Sequence, residues 1–263
     1  MRYALGLEYD GSAFFGWQVQ RQEPTVQGCV QAALARVANE AVHVVCCGRT
    51  DSGVHALCQI AHFDSRAQRS ERSWVLGANS YLPPAVSVLW VRELDESFHA
   101  RFSACSRTYR YRILNRWVRP ALAANHSGWC RQPLNTEWMH RAAQSLRGEH
   151  DFSAFRAASC QARHAQREIR DISVARFDNE VQIEVTANGF LYHMVRNIAG
   201  SLMAIGRGER PVSWMQDLLF SRDRNLASAT APAAGLYFVG ARYPEQYQLP
   251  VNGCVFPAAR KPS

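Results

Sequence analysis

A β-branched run over 42–47 reads as a buried strand. It empties into Gly48-Arg49-Thr50-Asp51-Ser52-Gly53-Val54-His55-Ala56. Glycines on both sides of Arg-Thr-Asp-Ser let the backbone turn sharply or come close to a ligand. A carboxylate at such a strand end is ionised at neutral pH, with an ordinary pKa of about 3.9. It can attack an electrophilic carbon and leave again, which splits one hard step into two easier ones. Asp51 is therefore the first candidate for chemistry. Taken alone, Asp-Ser-Gly is also ordinary turn chemistry, and an isolated His55 is more often structural.

Two further segments carry unusual residues. Tyr9-Asp10-Gly11-Ser12-Ala13-Phe14-Phe15-Gly16-Trp17-Gln18 crowds aromatics into a loop, which costs exposure unless something covers them. Asn188-Gly189-Phe190-Leu191-Tyr192-His193-Met194-Val195-Arg196-Asn197 opens a helix and sets Arg196 on an otherwise apolar one. A guanidinium buried there needs a carboxylate partner; the plainer reading is a surface arginine at the helix edge.

Charge narrows the partner. The 263 residues carry a formal +8, and of 30 basic side chains only Lys261 is not arginine. Residues 1–105 hold nine arginines against ten acids, whereas 106–263 hold 21 basic against 12 acidic side chains. Between Glu96 and Glu137 there is no acid, yet Arg101, Arg107, Arg110, Arg112, Arg116, Arg119 and Arg131 occur there. Phe102, Tyr109, Tyr111, Trp117 and Trp129 interleave them. Arginine forks suit phosphate oxygens and aromatic faces stack on bases, so this stretch reads as a nucleic-acid surface. A solvated basic face, or a coding bias toward arginine, is the bland alternative.

Composition excludes other classes. At 47% hydrophobic and 20% charged the chain is an ordinary globular one. The longest charge-free stretch, 73–91, is broken by Asn79, Pro83 and Pro84 and fails as a membrane span. The opening MRYALGLEYDG has acids where a signal peptide would continue its apolar core, so the cytoplasm is expected. Eight cysteines include no Cys-x-x-Cys, which removes the usual sign of a zinc ribbon or thioredoxin chemistry. Scattered free thiols are expected in a reducing compartment.

The elements that must position these residues follow one pattern twice. Tyr3, Leu5, Leu7 and Tyr9 alternate as a strand. Thr25 caps a helix bearing Val26, Val30, Leu34 and Val37. Strands follow over 42–47 and 59–64, then a helix from Ser70 to about Ser80, then a strand through Val86, Val88 and Trp90. In the second half Tyr109, Tyr111 and Ile113 face one way, with Arg110 and Arg112 opposite. Asn135 caps a helix to Leu146, and strands over 169–177 and 181–185 flank a turn at Asp178-Asn179. A helix over 191–205 ends near Gly206 and Gly208. A short helix starts at Pro211 and Ser213, and a last strand spans 236–242. Each half reads β-α-β-β-α-β, the ferredoxin-like order, so the class is α+β. The expected division is 1–105, 106–243 and a proline-rich tail, 244–263.

The segments 9–18, 48–56, 98–111, 148–156, 188–200 and 235–243 together resemble the tRNA pseudouridine synthase A family, in its order and at fitting spacings. The resemblance implies the pseudouridine synthase fold: two ferredoxin-like halves, a central antiparallel or mixed sheet with helices on one side, and a catalytic cleft between the halves. It implies that uridine at positions 38–40, in the anticodon arm of tRNA, is isomerised to pseudouridine, with no cofactor and no metal, by a homodimer. It makes Asp51 the nucleophile, attacking C6 of the base or C1′ of the ribose, or opening a glycal route; the residues do not choose. Tyr109 would stack on the target base and help remove the C5 proton. Arg196 would pair with the catalytic carboxylate, Arg49 would hold the flipped nucleotide, and Leu236 would wall the pocket. The chain departs from the family's pattern at Ser52, often Ala, and at Arg107, often Lys; both keep size or charge. A catalytically inactive tandem RRM-like RNA-binding module is the alternative reading, and a cysteine-based redox protein a third.

Overall fold

The computed structural model describes residues 1–250, and three of its helices begin where a side-chain oxygen caps them. Thr25 accepts from the Gly28 N–H at 3.4 Å and starts α1 (Val26–Ala38). Ser70 accepts from the Ser73 N–H at 3.1 Å and starts α2 (Glu71–Tyr81). Asn135 accepts from the Trp138 N–H at 3.0 Å and starts α3 (Thr136–Gln144). Each cap satisfies a donor the helix itself leaves unpaired and contributes about 1 kcal/mol. The chain divides into two compact α+β units.

Of the described residues, the first unit comprises Met1–Cys105 together with 238–250. Its strands are β1 (Arg2–Tyr9), β2 (Val44–Cys46), β3 (His55–Asp64) and β4 (Val86–Leu94). Their spatial order is β4-β1-β3, with β2 on the far side of β3. All of these pairs are antiparallel, with Leu5 opposite Val91 on one side and Ala61 on the other. That is the strand order of a β-α-β-β-α-β unit. As the central strand, β1 is buried on both faces, beyond the alternation of Tyr3, Leu5, Leu7 and Tyr9. Gly6 lies under the Trp90 indole, which leaves no room for a Cβ. Tyr3, Phe63 and Trp74 form the aromatic centre of this core, with ring centroids 5.0–5.3 Å apart. Gly77 of α2 meets Val37 of α1, so the two helices lie close.

The second unit is Ser106–Tyr237. It holds β5 (Ser106–Asn115), β6 (Gly128–Cys130), β7 (Gly148–Asp151), β8 (Gln166–Phe177) and β9 (Glu180–Ala187), with α4 (Met194–Gly206) and α5 (Trp214–Ser221). The order is β5-β9-β8-β7, and β6 runs parallel to β5. The turn between β8 and β9 places Asp178 at φ 50°, a conformation an Asp tolerates. The sequence pattern omits β6 and β7, which are three and four residues long and, unlike the equally short β2, carry no β-branched residue. It also starts α4 three residues early, at 191. The helix begins only after His193, which sits in the left-handed region at φ 60°. The last strand, β10 (Leu236–Arg242), crosses from one unit to the other at Tyr237 and Phe238.

Of the expected tail, Glu245–Tyr247 is a single 3₁₀ turn; its part from 251 to 263 lies outside the described residues. Cys29, Cys46, Cys47, Cys105, Cys130 and Cys160 are free thiols, as expected. Cys58 is buried in β3, and Cys254 lies outside the described residues. Among the described residues no helix is long and apolar enough to cross a membrane.

Candidate active site

In the first unit, two of the segments with unusual chemistry fold against each other. The strand β2 ends at Cys46, and the chain returns into β3 at His55. Between them, the Val54 N–H donates to Asp51 O at 3.1 Å with Gly53 at φ 76°. A positive φ at the third position makes this a type II turn with Asp51 at its head. The loop of residues 10–17 clamps that turn. The Trp17 N–H donates to Thr50 O at 3.0 Å, and the Ser52 hydroxyl donates to Phe14 O at 3.3 Å. Gly16, at φ 86°, lies so near that a Cβ would stand 2.8 Å from Thr50 O. A Cβ on Gly11 would overlap the Val54 carbonyl.

Beneath the turn, the Tyr9 hydroxyl and Thr50 Oγ1 share a buried hydrogen bond of 2.7 Å. Burial pushes the Tyr9 phenol up, with Thr50 and Gln59 working the other way, so it stays neutral. Gln59, fully buried, donates from Nε2 to Gly48 O at 2.7 Å. His55 is buried, and its Nδ1 lies 3.1 Å from the Gly11 N and 3.1 Å from Asp10 Oδ1. The result is a half-buried carboxylate, Asp51, on a backbone held at Gly48, Thr50, Asp51 and Ser52, with Arg49 exposed beside it. Nothing singled out Tyr9, Thr50 and Gln59 in the sequence as the support of Asp51. The usable signal was Tyr9 on the inward face of β1, since a buried phenol needs a partner.

Cys46 stands just upstream. Burial, aided by Cys47 and opposed by Arg49, pushes its thiol up to about 12. A thiol in that state is protonated at neutral pH and a poor nucleophile, which disfavours the redox reading at this position.

In the second unit, β5 carries Tyr109, half-buried, with its ring edge-on to Phe190 at 5.0 Å and 82°. Arg107 donates to Asn188 O at 2.9 Å, tying the same segment to the strand. Arg196, half-buried on α4, donates from Nε to Ala231 O at 2.8 Å and lies 3.1 Å from His193 Nε2. The loop that receives it is tightly held: Thr230 donates to Asn197 Oδ1 at 2.7 Å, and Gly200 leaves no room for a Cβ beneath Ala229 O. Tyr111, next on the inward face of β5, donates to Pro232 O at 2.9 Å in that loop. Burial pushes its phenol up, and Arg196 acts against that shift. Arg196 is thus electrostatically close to the strand that carries Tyr109. Leu236, buried, opens β10 directly after Gly235, where a Cβ would stand 2.7 Å from both Arg112 O and the Tyr111 ring.

The strand arginines differ from the expected nucleic-acid surface. Arg110 donates twice to Glu184, at 2.9 and 2.7 Å, and Arg112 forks onto Glu180 at 2.9 and 2.7 Å. Both acids lie on β9, facing β5, and are distant in sequence. The acid-free stretch is therefore partly neutralised in the fold.

A model of the family described as tRNA pseudouridine synthase matches residues 7–103 and 142–244. Arg49, Asp51, Arg196 and Leu236 fall inside the matched residues; Tyr109 falls in the stretch between them. The tRNA pseudouridine synthase A of Xylella fastidiosa (strain M23) is 57% identical over 253 residues, covering 96% of this chain and 98% of that one. That of Xanthomonas campestris pv. campestris (strain B100) is 54% identical over 254 residues, covering 96% and 99%. A solved Cbf5-Nop10-Gar1 complex is similar over 90% of this chain and 48% of that chain, at 12% identity and a TM-score of 0.37, too weak a likeness to bear on the fold. None of the named relatives supports an inactive RRM-like module. With matches of this length and identity, the chain belongs to the tRNA pseudouridine synthase family.

Proposed function

We propose that this chain isomerises uridine to pseudouridine in the anticodon stem-loop of tRNA, at positions 38–40, with Asp51 as nucleophile. In the reaction the N1–C1′ bond breaks, the base turns within the site, and a C5–C1′ bond forms. The C5 proton leaves and N1 gains one, so no atom is added or lost. Nothing in that balance calls for a redox partner or a cofactor. The ionised Asp51 carboxylate attacks C6 or C1′, or takes a ribose proton on a glycal route.

Tyr109 offers a flat face to the base and a hydroxyl near the departing C5 proton. Arg196 supplies the positive charge that keeps the nucleophilic carboxylate ionised. Arg49 holds the extruded nucleotide, and Leu236 provides an apolar wall. A target base stacked in an RNA stem must be flipped out, at a cost of a few kcal/mol. Phosphate contacts from the basic side chains offset that cost. The enzyme acts as a cytoplasmic homodimer in this reading.

What carries the reading is Asp51: an acidic side chain at the head of a clamped turn, in a chain whose full-length relatives are named as synthases. The test uses a tRNA transcript labelled with tritium at uracil C5, incubated with the protein and with its Asp51→Ala variant. Release by the wild type, none by the variant, and tRNA binding retained by both is the expected outcome. Release that persists in Asp51→Ala removes the nucleophile assignment, and no release by the wild type removes the reaction.

A further inference from the structure

Seven arginines of the acid-free stretch look alike in sequence, and the fold sorts them. Arg110 and Arg112 are spent on glutamates of β9. Among the described residues, Arg116, Arg119 and Arg131 have no carboxylate partner, and all three are exposed. They cluster on one connection, residues 116–131, which leaves β5 and comes back through β6.

That connection is built. Arg131 lies over the Trp117 ring at 3.4 Å, a stacked cation–π pair. Trp129 donates from Nε1 to Arg116 O at 3.0 Å, and Arg116 donates from Nε to Val118 O at 3.0 Å. Ser127 donates to Ala123 O at 3.0 Å, closing the turn. Both indoles are nonetheless accessible: Trp117 is 70% exposed and Trp129 40%, with Arg131 on one face of Trp117. Val118 and Leu122 are exposed next to them. Two accessible indoles and three arginines without a carboxylate partner among the described residues thus lie on one segment that contains no acid.

We propose that residues 116–131 form a second RNA-binding platform that grips the substrate tRNA away from the target uridine, with Trp117 stacking on a base and Arg119 and Arg131 on phosphates. The inference rests on tRNA being the substrate. Charge selects the occupant. Residues 116–131 carry three arginines and no acid, and a polyphosphate backbone supplies the complementary charge. Stacking on an indole tolerates any base, which suits a contact that positions the RNA without reading its sequence.

The test is direct binding of full-length tRNA, measured across a salt series, with wild type, Trp117→Ala, Trp117→Phe and the double variant Arg119→Gln/Arg131→Gln. Melting curves and sedimentation are recorded on each. Stacking of one base predicts that Trp117→Ala weakens binding about fivefold or more, and that Trp117→Phe restores most of it. The double variant should lower the slope of log affinity against log salt by about one to two. Melting and oligomeric state should not move. Binding by Trp117→Ala and by the double variant at wild-type strength and slope would overturn the platform. So would a change of oligomeric state, which would assign the patch to a protein contact. Because binding is read without turnover, failure here is separate from failure of the isomerase reading, which shows as no tritium release by the wild type.

Discussion

At the scale of single residues, Asp51 is defined by what holds its neighbours. The 2.7 Å bond between Tyr9 and Thr50 is buried and lies one residue from the carboxylate. Removing the phenol leaves Thr50 Oγ1 buried with a lost partner, which costs about 1–3 kcal/mol. Tyr9→Phe is therefore expected to lower the unfolding free energy, measured by denaturant titration, by that amount. It should also slow tritium release more than it weakens tRNA binding, since the turn and not the RNA surface is disturbed. Equal loss of release and binding would show that Tyr9 serves the fold alone. Burial keeps the Tyr9 phenol neutral through the physiological range, so this support does not titrate away.

At the scale of elements, the clamp on the Asp51 turn depends on a loop that can pass close by. Gly16 holds φ 86° with no space for a Cβ beside Thr50 O. Gly16→Ala combines a left-handed strain with that overlap and is expected to cost about 1–3 kcal/mol in a urea titration. A wild-type midpoint would mean that the loop gives way freely. Strand β3 carries a second sensitive point. His62 is buried, and its Nδ1 accepts from the Ala100 N–H at 3.1 Å. Burial, with Arg2 and His99 adding to it, lowers its pKa from 6.5 to about 4. The unfolded chain then binds a proton between those values while the folded chain does not, so stability falls as pH drops from about 6.5 to about 4. Gln at this position keeps an acceptor without titrating. Melting temperature measured against pH should fall less steeply in this window for His62→Gln than for the wild type.

At the scale of the whole molecule, the formal +8 and a pI of about 9.3 favour a polyanionic partner. Net charge overstates the RNA-facing surface, because Arg110 and Arg112 answer acids on β9. Arg110→Gln is expected to leave the salt slope of tRNA binding at its wild-type value. Its effect on stability should be about 1 kcal/mol or less, as for a partly exposed ion pair. A reduced slope in that variant would return Arg110 to the RNA surface.

The sequence by itself determined the local features. Thr25, Ser70 and Asn135 cap the helices they were expected to cap, because a cap is an interaction over two or three residues. Alternation located the long strands, and the motif segments led to the family, which the matches over 7–103 and 142–244 show. The β-α-β-β-α-β order of the first unit was likewise legible from periodicity. Strands β6 and β7 were not, since three or four residues carry no period and neither strand holds the β-branched run that marked β2. Only the tertiary structure decided which arginines are neutralised, because Glu180 and Glu184 stand about 70 residues from Arg112 and Arg110 along the chain and meet them through antiparallel pairing. It alone laid the loop of residues 10–17 over the Asp51 turn, with Tyr9 beneath it. Those contacts join parts of the chain separated by more than thirty residues, and no spacing within either part encodes them.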